Sequence, residues 1–356
     1  MGIAGLRRTG GELVGPCPCC GGRDRFAINL KTHLFQCRQC GISGGDTVKL
    51  VQEVQAVPFR EALKFLMGEE VAAVDPKEIK RRRARARAAE KARAEDASRA
   101  RAYAIRKAQE IWRAGDGQPR RLVEAYLKAR GVDFEKVVAV AGRLPALRCI
   151  AAHPCVKRVG SEARRLHTGP AMIAAVQAPN DRLRAVHQTW IDPAPPHGKL
   201  AIAVPDDDPV SKLVRGSMKG GAIRLVTPRK FDTLVMGEGI ETTLSALVAG
   251  AAPGAAFWSG VSLGNMAGRM QKIPGVGASG LPDLSDTDAF LPPPWVKRFF
   301  VIMDGDSAEA ATLAKCQACA RRAMVAIPGL ETRIVRSERG RDLNDMLVAA
   351  QGEAMA

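Results

Sequence analysis

Two C-x₂-C pairs near the N-terminus constrain the fold of this chain more than any other feature. The pairs are Cys17-Pro-Cys-Cys20 and Cys37-Arg-Gln-Cys40, and sixteen residues separate them. Zn²⁺ binds four thiolates in a tetrahedron, and a turn that holds C-x₂-C presents two thiolates on one side. The spacing therefore predicts a structural zinc site with Cys17, Cys20, Cys37 and Cys40 as ligands, in the hairpins of a zinc ribbon.

The other potential zinc ligands fit this site less well. Cys19 is a spare thiol inside the first pair, and His33 is a weaker candidate because four better-placed cysteines are present. Cys316 and Cys319 also have C-x₂-C spacing, but they lie in a predicted helix without a second pair. A redox C-x-x-C needs one pair rather than two, so we expect local metal binding and no disulfide framework.

The charge of the chain is strongly positive and uneven. The formal net charge is +17, and residues 77–107 alone carry 13 Lys or Arg against 4 Asp or Glu. An excess of this size favours a polyanionic partner, although a long basic helix can equally serve as a solvated spacer. No apolar run reaches the roughly 20 residues that a membrane span requires, so we expect a cytoplasmic protein with no membrane partner.

Composition and pattern shifts predict a multidomain α/β protein with four segments. Residues 1–70 form the zinc ribbon, 71–114 a basic helical linker, 115–228 a mixed α+β middle subdomain, and 229–356 a C-terminal α/β domain. Strands that alternate with helices in the last segment predict a mostly parallel sheet.

Individual elements follow from caps, periodicity and turn residues. Helices are predicted over 47–55, 59–67, 77–114, 122–129, 241–249, 308–323 and 344–349, strands over 171–177, 183–190, 233–236, 299–303 and 332–335, and a surface loop over 193–209.

Acidic residues stand after three of the predicted C-terminal strands. Glu238 follows the first, Asp304 and Asp306 follow the second, and Asp342 and Asp345 follow the third. The carboxyl ends of parallel strands face a common crevice, and side chains two apart on a strand share a face. Carboxylate oxygens suit Mg²⁺. Acidic residues after strands can also be simple turn residues. When Asp304 and Asp306 are considered by themselves, without Glu238, that alternative stays open.

Several of these residues together resemble a known family. Glu238-Gly-Ile-Glu241 followed by a helix, and then Asp304-Gly-Asp306, resembles the Toprim domain. The segment from Cys17 to Phe26, with Cys37-Arg-Gln-Cys-Gly41, resembles the zinc ribbon of bacterial, phage and plasmid primases. The motifs occur in the order found in primases, and Arg341-Asp-Leu-Asn-Asp345 resembles the third Toprim motif of primases from phages and mobile elements.

The resemblance implies a DNA primase that makes short RNA primers on a single-stranded DNA template. Glu238 would be a general acid or base or a metal ligand. Asp304 and Asp306 would bind catalytic Mg²⁺ or Mn²⁺, with Asp342 and Asp345 in support. The zinc would be structural, and its ribbon would help to engage the template.

The middle segment would correspond to the part of a primase that handles template and ribonucleoside triphosphates. Lys219 and Arg224 are its candidate contacts. Many relatives continue into a helicase, but no G-x₄-G-K-[ST] phosphate-binding loop occurs in this sequence, so a helicase partner would be a separate protein.

Three other functions use some of the same features. A Toprim nuclease would use the same carboxylates for phosphodiester hydrolysis, and a non-catalytic accessory protein would only bind single-stranded DNA. A topoisomerase needs a tyrosine nucleophile, and neither Tyr103 nor Tyr126 lies in a catalytic motif.

Overall fold

The chain divides into two compact units, residues 1–93 and 94–356. A computed structural model describes residues 3–67, 76–115, 120–305 and 308–355. None of the helices in these ranges has the length and apolar character needed to cross a membrane.

In the described residues, the first unit contains an antiparallel ribbon, two short helices and the first part of a long helix. Its five strands are hydrogen-bonded in chain order: β1 (Arg7–Thr9), β2 (Glu12–Cys17), β3 (Gly21–Asn29), β4 (Phe35–Cys37) and β5 (Ser43–Gly44). Helices α1 (Thr47–Gln55) and α2 (Phe59–Met67) follow. Phe26 and Phe35 form the small core together with Cys17 and Cys37. The zinc-ribbon prediction is therefore confirmed.

A long helix, α3 (Pro76–Ala114), follows the ribbon. Alanine and arginine are strong helix formers, which explains its 39 residues despite weak amphipathicity. Its last turns belong to the second unit, where Ala108 is fully buried in a cluster with Ile173 and Trp190 of the sheet. Arg148 donates to the carbonyl oxygen of Trp112 at 2.7 Å and supplies a cation at the C-terminal end of the helix.

The second unit is built on one nine-stranded mixed sheet. After α4 (Arg120–Ala129) and α5 (Phe134–Ala141) come β6 (Leu147–Val159), β7 (Glu162–Gln177), β8 (Leu183–Trp190), β9 (Ile202–Val204), β10 (Asp207–Val210), β11 (Lys212–Gly216), β12 (Ala222–Val226), β13 (Thr233–Gly237), α6 (Ile240–Val248), β14 (Ala256–Ser259), α7 (Leu263–Ala267), β15 (Arg298–Met303), α8 (Glu309–Ala326), β16 (Glu331–Arg336) and α9 (Leu343–Met355). The strand order is β11-β8-β7-β12-β14-β13-β15-β16, and β6 pairs with β7.

The C-terminal strands form the predicted parallel part of the sheet. β13 pairs in parallel with both β14 and β15, and β15 pairs in parallel with β16. β12 pairs antiparallel with β7 on one side and with β14 on the other, so the middle and C-terminal segments share a single sheet. The carboxyl ends of β13, β15 and β16 consequently lie along one edge.

The prediction of a surface loop over 193–209 is partly wrong. Ile202–Val204 and Asp207–Val210 form a two-stranded hairpin, with Val204 opposite Asp207. Proline and aspartate dominate the composition of this stretch and mask the short apolar run that forms the first strand.

In the second unit, the sequence prediction also missed β6, β11, β12, β14, α5 and α7. β6 contains Pro154 and several charged residues, which argue against a strand, but within the described ranges it pairs with β7 alone. A strand with one neighbour tolerates proline because half of its backbone groups need no ladder partner. β14 is only four residues long, too short for a periodic signal.

Candidate functional site

The four predicted zinc ligands converge at the tips of the ribbon hairpins. The sulfur atoms of Cys17, Cys20, Cys37 and Cys40 all lie within 4.8 Å of one another. Cys17 Sγ is 3.7 Å from Cys40 Sγ, and Cys20 Sγ is 3.6 Å from Cys37 Sγ. Among the described residues, these four cysteines are the one group of three or more potential metal-binding side chains whose ligand atoms lie close together.

These separations fit zinc. With Zn–S bonds of about 2.3 Å, a tetrahedron has edges of about 3.8 Å. Backbone hydrogen bonds from Cys40 lower the pKa of Cys37 to about 6, against the opposing effect of burial, and Gln39 N also donates to the Cys37 sulfur. The predicted Cys₄ site for structural zinc is confirmed.

The spare cysteines lie outside this group. The Cys19 thiol is exposed and donates to the carbonyl oxygen of Glu53. Cys316 and Cys319 are buried in α8. Burial raises the pKa of the Cys316 thiol to about 11 and that of the Cys319 thiol to about 12. Their C-x₂-C spacing is helix packing, as predicted.

Glu238 and Asp304 lie beside each other at the carboxyl edge of the parallel strands. Glu238 directly follows β13 and Asp304 directly follows β15, and both are half-buried. The register pairs Met236 with Val301, which places Glu238 level with Met303 on the neighbouring strand. Because paired strands are about 4.8 Å apart, the two carboxylates belong to the same small region.

Two hydroxyl groups tie this edge together. Thr242, in the first turn of α6, donates its hydroxyl to Asp304 Oδ2 at 3.2 Å. Ser259, at the end of β14, donates to the backbone carbonyl oxygen of Glu238 at 2.8 Å. The first contact joins α6 to the residue after β15, and the second joins the end of β14 to the residue after β13. The sequence prediction singled out neither Thr242 nor Ser259.

Asp342 and Asp345 form a reciprocal cap at the start of α9. Asp345 N donates to Asp342 Oδ1 at 2.7 Å, and Asp342 N donates to Asp345 Oδ2 at 3.3 Å. Gly305 N donates to Arg341 O at 3.1 Å, which links the loop after β15 to this cap. The cap engages one oxygen of each carboxylate, and a metal-binding role for the pair stays a prediction. Asp306 lies outside the described residues.

A small pocket next to Glu238 is lined by basic side chains. His187, Lys199 and Lys212 line it from the middle segment, and Glu238 and Glu241 line it from the C-terminal segment. Burial lowers the pKa of His187 to about 4, and the neighbouring lysines add to this effect, so the imidazole is neutral at neutral pH. The sequence gives no local signal for this cluster, because its members come from distant parts of the chain.

Glu241 is a buried carboxylate with two partners from other elements. Tyr126 donates its hydroxyl to Glu241 Oε1, and Lys199 Nζ lies 3.0 Å from the same oxygen. Burial raises the pKa of Glu241, but the Lys199 ammonium and the Tyr126 hydroxyl outweigh it and bring the value to about 2. Because the pKa is depressed, the ionised Glu241 carboxylate stabilises the fold at neutral pH. This stabilisation is lost as the pH falls through about 2.

We expect Tyr126→Phe to lower the free energy of unfolding by about 1.5–3 kcal/mol, because a hydrogen bond to a buried charge is lost. The matched control is Tyr103→Phe, since Tyr103 is 56% exposed on α3 and its change should stay within about 0.5 kcal/mol. Urea unfolding of both variants measures the difference. Equal effects would show that Tyr126 does not stabilise the Glu241 carboxylate.

Lys219 and Arg224 lie away from the pocket beside Glu238. Lys219 is exposed, with its Nζ 3.6 Å from Asp288 Oδ2. Arg224 forms an ion pair with Asp181, and its guanidinium stacks on the Trp258 ring at 4.5 Å. Their predicted roles in template or nucleotide binding stay predictions.

Two family models match the chain. Residues 3–82 match the CHC2 zinc finger, and residues 102–225 match a domain of unknown function, DUF7146. The first match coincides with the ribbon that holds the four cysteines, and the second covers most of the middle segment. No curated protein matches the sequence.

Several solved structures of primases show distant similarity. A structure of the Aquifex aeolicus primase with its zinc-binding and RNA polymerase domains has 14% identity and a TM-score of 0.38, covering 98% of this chain and 78% of that one. The primase fragment of the bacteriophage T7 primase-helicase protein has 11% identity and a TM-score of 0.35, with 96% of each chain covered. What the matches establish is that the N-terminal residues 3–82 carry a CHC2-type zinc finger.

Proposed function

We propose that this protein is a DNA primase that synthesises short RNA primers on single-stranded DNA. The observation that carries the proposal is the placement of Glu238 and Asp304 at the carboxyl ends of adjacent parallel strands. The CHC2 zinc finger in the same chain and the net charge of +17 support a nucleic-acid substrate.

The carboxylates have distinct roles in this proposal. Glu238 accepts the proton of the attacking 3′-hydroxyl group. Asp304 and Asp306 hold the divalent cation, and Asp342 and Asp345 support them. Their oxygen donors suit Mg²⁺ or Mn²⁺, which prefers carboxylates and phosphate oxygens. When bound, the cation neutralises charge on the transferring phosphoryl group.

Basic residues from the middle segment attract and orient the polyanionic substrates. Lys212 lies beside Glu238 and would supply positive charge near the phosphates of a ribonucleoside triphosphate, with Lys199 next to it in its ion pair with Glu241. Lys219 and Arg224 are proposed to contact the template, and the zinc finger helps to engage it. A helicase partner would be a separate protein.

The direct test is primer synthesis on single-stranded DNA with labelled ribonucleotides and Mg²⁺. We expect short products from the wild type and about 10²- to 10⁴-fold less product from Glu238→Gln, because the amide cannot accept a proton. Glu331→Gln is the matched control, since Glu331 is exposed at the amino end of β16, opposite the carboxylates. It should retain wild-type activity.

Other outcomes assign other functions. Mg²⁺-dependent cutting of the DNA without nucleotides, lost in Glu238→Gln, would indicate a Toprim-type nuclease. Metal-independent binding of single-stranded DNA, with neither synthesis nor cutting, would indicate a non-catalytic accessory protein.

A further inference from the structure

An aromatic pocket lies at the edge of the sheet opposite the carboxylates. Phe231, Trp258, Phe290 and Trp295 line it together with Arg224, and its volume is about 540 Å³. Phe231 precedes β13, whereas Glu238 follows it. Seven residues of extended chain span about 20 Å, so the Phe231 end of the pocket lies away from the catalytic edge, while Trp258 on β14 reaches closer to it. Its volume lies within the range of small-molecule sites, about 300–1,000 Å³.

Aromatic residues are scarce in this chain but are concentrated around the aromatic pocket. The chain contains 10 Phe, 4 Trp and 2 Tyr, and four of these sixteen aromatic residues line this one cavity. Trp258 and Phe290 are buried and form the floor. The Phe231 ring makes edge contacts with Trp258 and Trp295, both at 6.1 Å between ring centroids. Trp295 is 59% exposed, so its ring is available for stacking at the mouth.

The polar groups of the aromatic pocket suit a flat, hydrogen-bonding ligand. The Arg224 guanidinium stacks on Trp258, and its buried Nε has no hydrogen-bond partner among the described residues. Five prolines also line the cavity, and proline offers a carbonyl acceptor without an N–H donor. Aromatic faces combined with donors and acceptors match a nucleobase, which has a π-face and a polar edge.

The rim of the aromatic pocket is positively charged. Arg229, Lys230 and Lys297 are exposed and lie on or next to its lining segments. The two nearby acids have cationic partners, because Asp181 pairs with Arg224 and Asp232 lies 3.4 Å from Arg298. Phosphates on either side of a bound base would therefore meet a net positive surface. This charge favours nucleic acid over an apolar side chain of a protein partner.

We propose that the aromatic pocket binds an unpaired nucleobase of single-stranded DNA at its Phe231 and Trp295 end, away from the catalytic carboxylates. The inference rests on the proposed function for the identity of the strand. Stacking on Trp295 and contact with Arg224 would hold the template by a base that is not being copied. Because every base has a π-face, the site would tolerate sequence changes.

The test compares the binding of two labelled oligonucleotides to the full chain by fluorescence anisotropy. One is oligodeoxythymidylate, and the other is an abasic strand of the same length and charge. We expect Trp295→Ala to bind oligodeoxythymidylate about 5- to 100-fold more weakly than the wild type does. Binding of the abasic strand should be equal for the two proteins, because only phosphate contacts remain.

Two further variants separate stacking from general effects. Trp295→Phe keeps an aromatic face and should retain most of the affinity, whereas Tyr103→Ala removes an aromatic side chain of matching exposure elsewhere and should change nothing. If the wild type and Trp295→Ala bind oligodeoxythymidylate equally, the nucleobase site is refuted and a protein side chain becomes the candidate occupant.

This result is independent of the primase assay. A Trp295-dependent preference for the base-bearing strand in a protein that makes no primers would retain the site and refute the primase. Primer synthesis without that preference would support the primase and refute the nucleobase site.

Discussion

Asp304→Ala should abolish primer synthesis while leaving the zinc content of the protein unchanged. The carboxylate follows β15 at the edge where Glu238 follows β13, and it accepts a hydrogen bond from Thr242. In the proposed function Asp304 would hold a divalent cation next to the transferring phosphoryl group, and the alanine would remove that ligand. A cation in this role stabilises the transition state by several kcal/mol, so we expect a loss of at least about 10³-fold in rate. Primer synthesis measures the rate, and atomic absorption measures the zinc.

The control for this variant is Asp208→Ala, because Asp208 is an exposed aspartate of the β9–β10 hairpin. It should retain both activity and zinc. Thermal unfolding of the two variants shows whether an inactive protein is also unfolded. Full activity in a folded Asp304→Ala protein would refute the catalytic role of this edge of the sheet.

Removal of zinc should unfold the N-terminal ribbon while residues 94–356 keep their own core. Among the described residues, the fully buried core of the ribbon consists of Phe26, Phe35 and two of the cysteines, with a few partly buried apolar side chains around it. This is too little apolar surface to fold a segment of this size alone. A structural Cys₄ site supplies about 10–16 kcal/mol of apparent binding free energy, and this is also folding free energy. We expect Cys40→Ser or a strong chelator to expose the ribbon to proteolysis, with cleavage confined to the first unit.

Cys19→Ser is the matched control for the zinc prediction. Its thiol is two residues from Cys17 but donates to the carbonyl oxygen of Glu53 rather than joining the four converging sulfurs. This variant should bind zinc and resist proteolysis like the wild type. Zinc loss in Cys19→Ser, or full zinc content in Cys40→Ser, would show that the ligand set is wrong.

Elements with local signals were predicted well from the sequence. Helices α1 and α2 have the predicted bounds, because Asp46 accepts from Lys49 N at the first N-terminus and Pro58 precedes the second helix. The zinc ligands follow from spacing alone, since two C-x₂-C pairs leave few other geometries. The carboxylate positions follow from the ends of apolar strands.

Contacts between distant segments could not be predicted in this way. Lys199 reaches Glu241 across forty-two positions of sequence, and Tyr126 reaches the same carboxylate from α4. Neither residue belongs to a motif, and their meeting depends on how α6 packs on the sheet. The aromatic pocket has the same origin, because Phe231 and Trp295 come together only through the parallel pairing of β13 with β15.

The position of β12 inside the sheet prevents the middle and C-terminal segments from being separated cleanly. The predicted boundary at residues 228/229 falls within the nine-stranded sheet, where β12 is flanked by β7 and β14. A chain that ended at residue 228 would expose one side of β12, with its backbone N–H and C=O groups unpaired and its apolar side chains uncovered. Such an edge pairs readily with other chains. The middle and C-terminal segments should therefore be expressed, inherited and degraded together, as a single cooperative body rather than as two exchangeable modules.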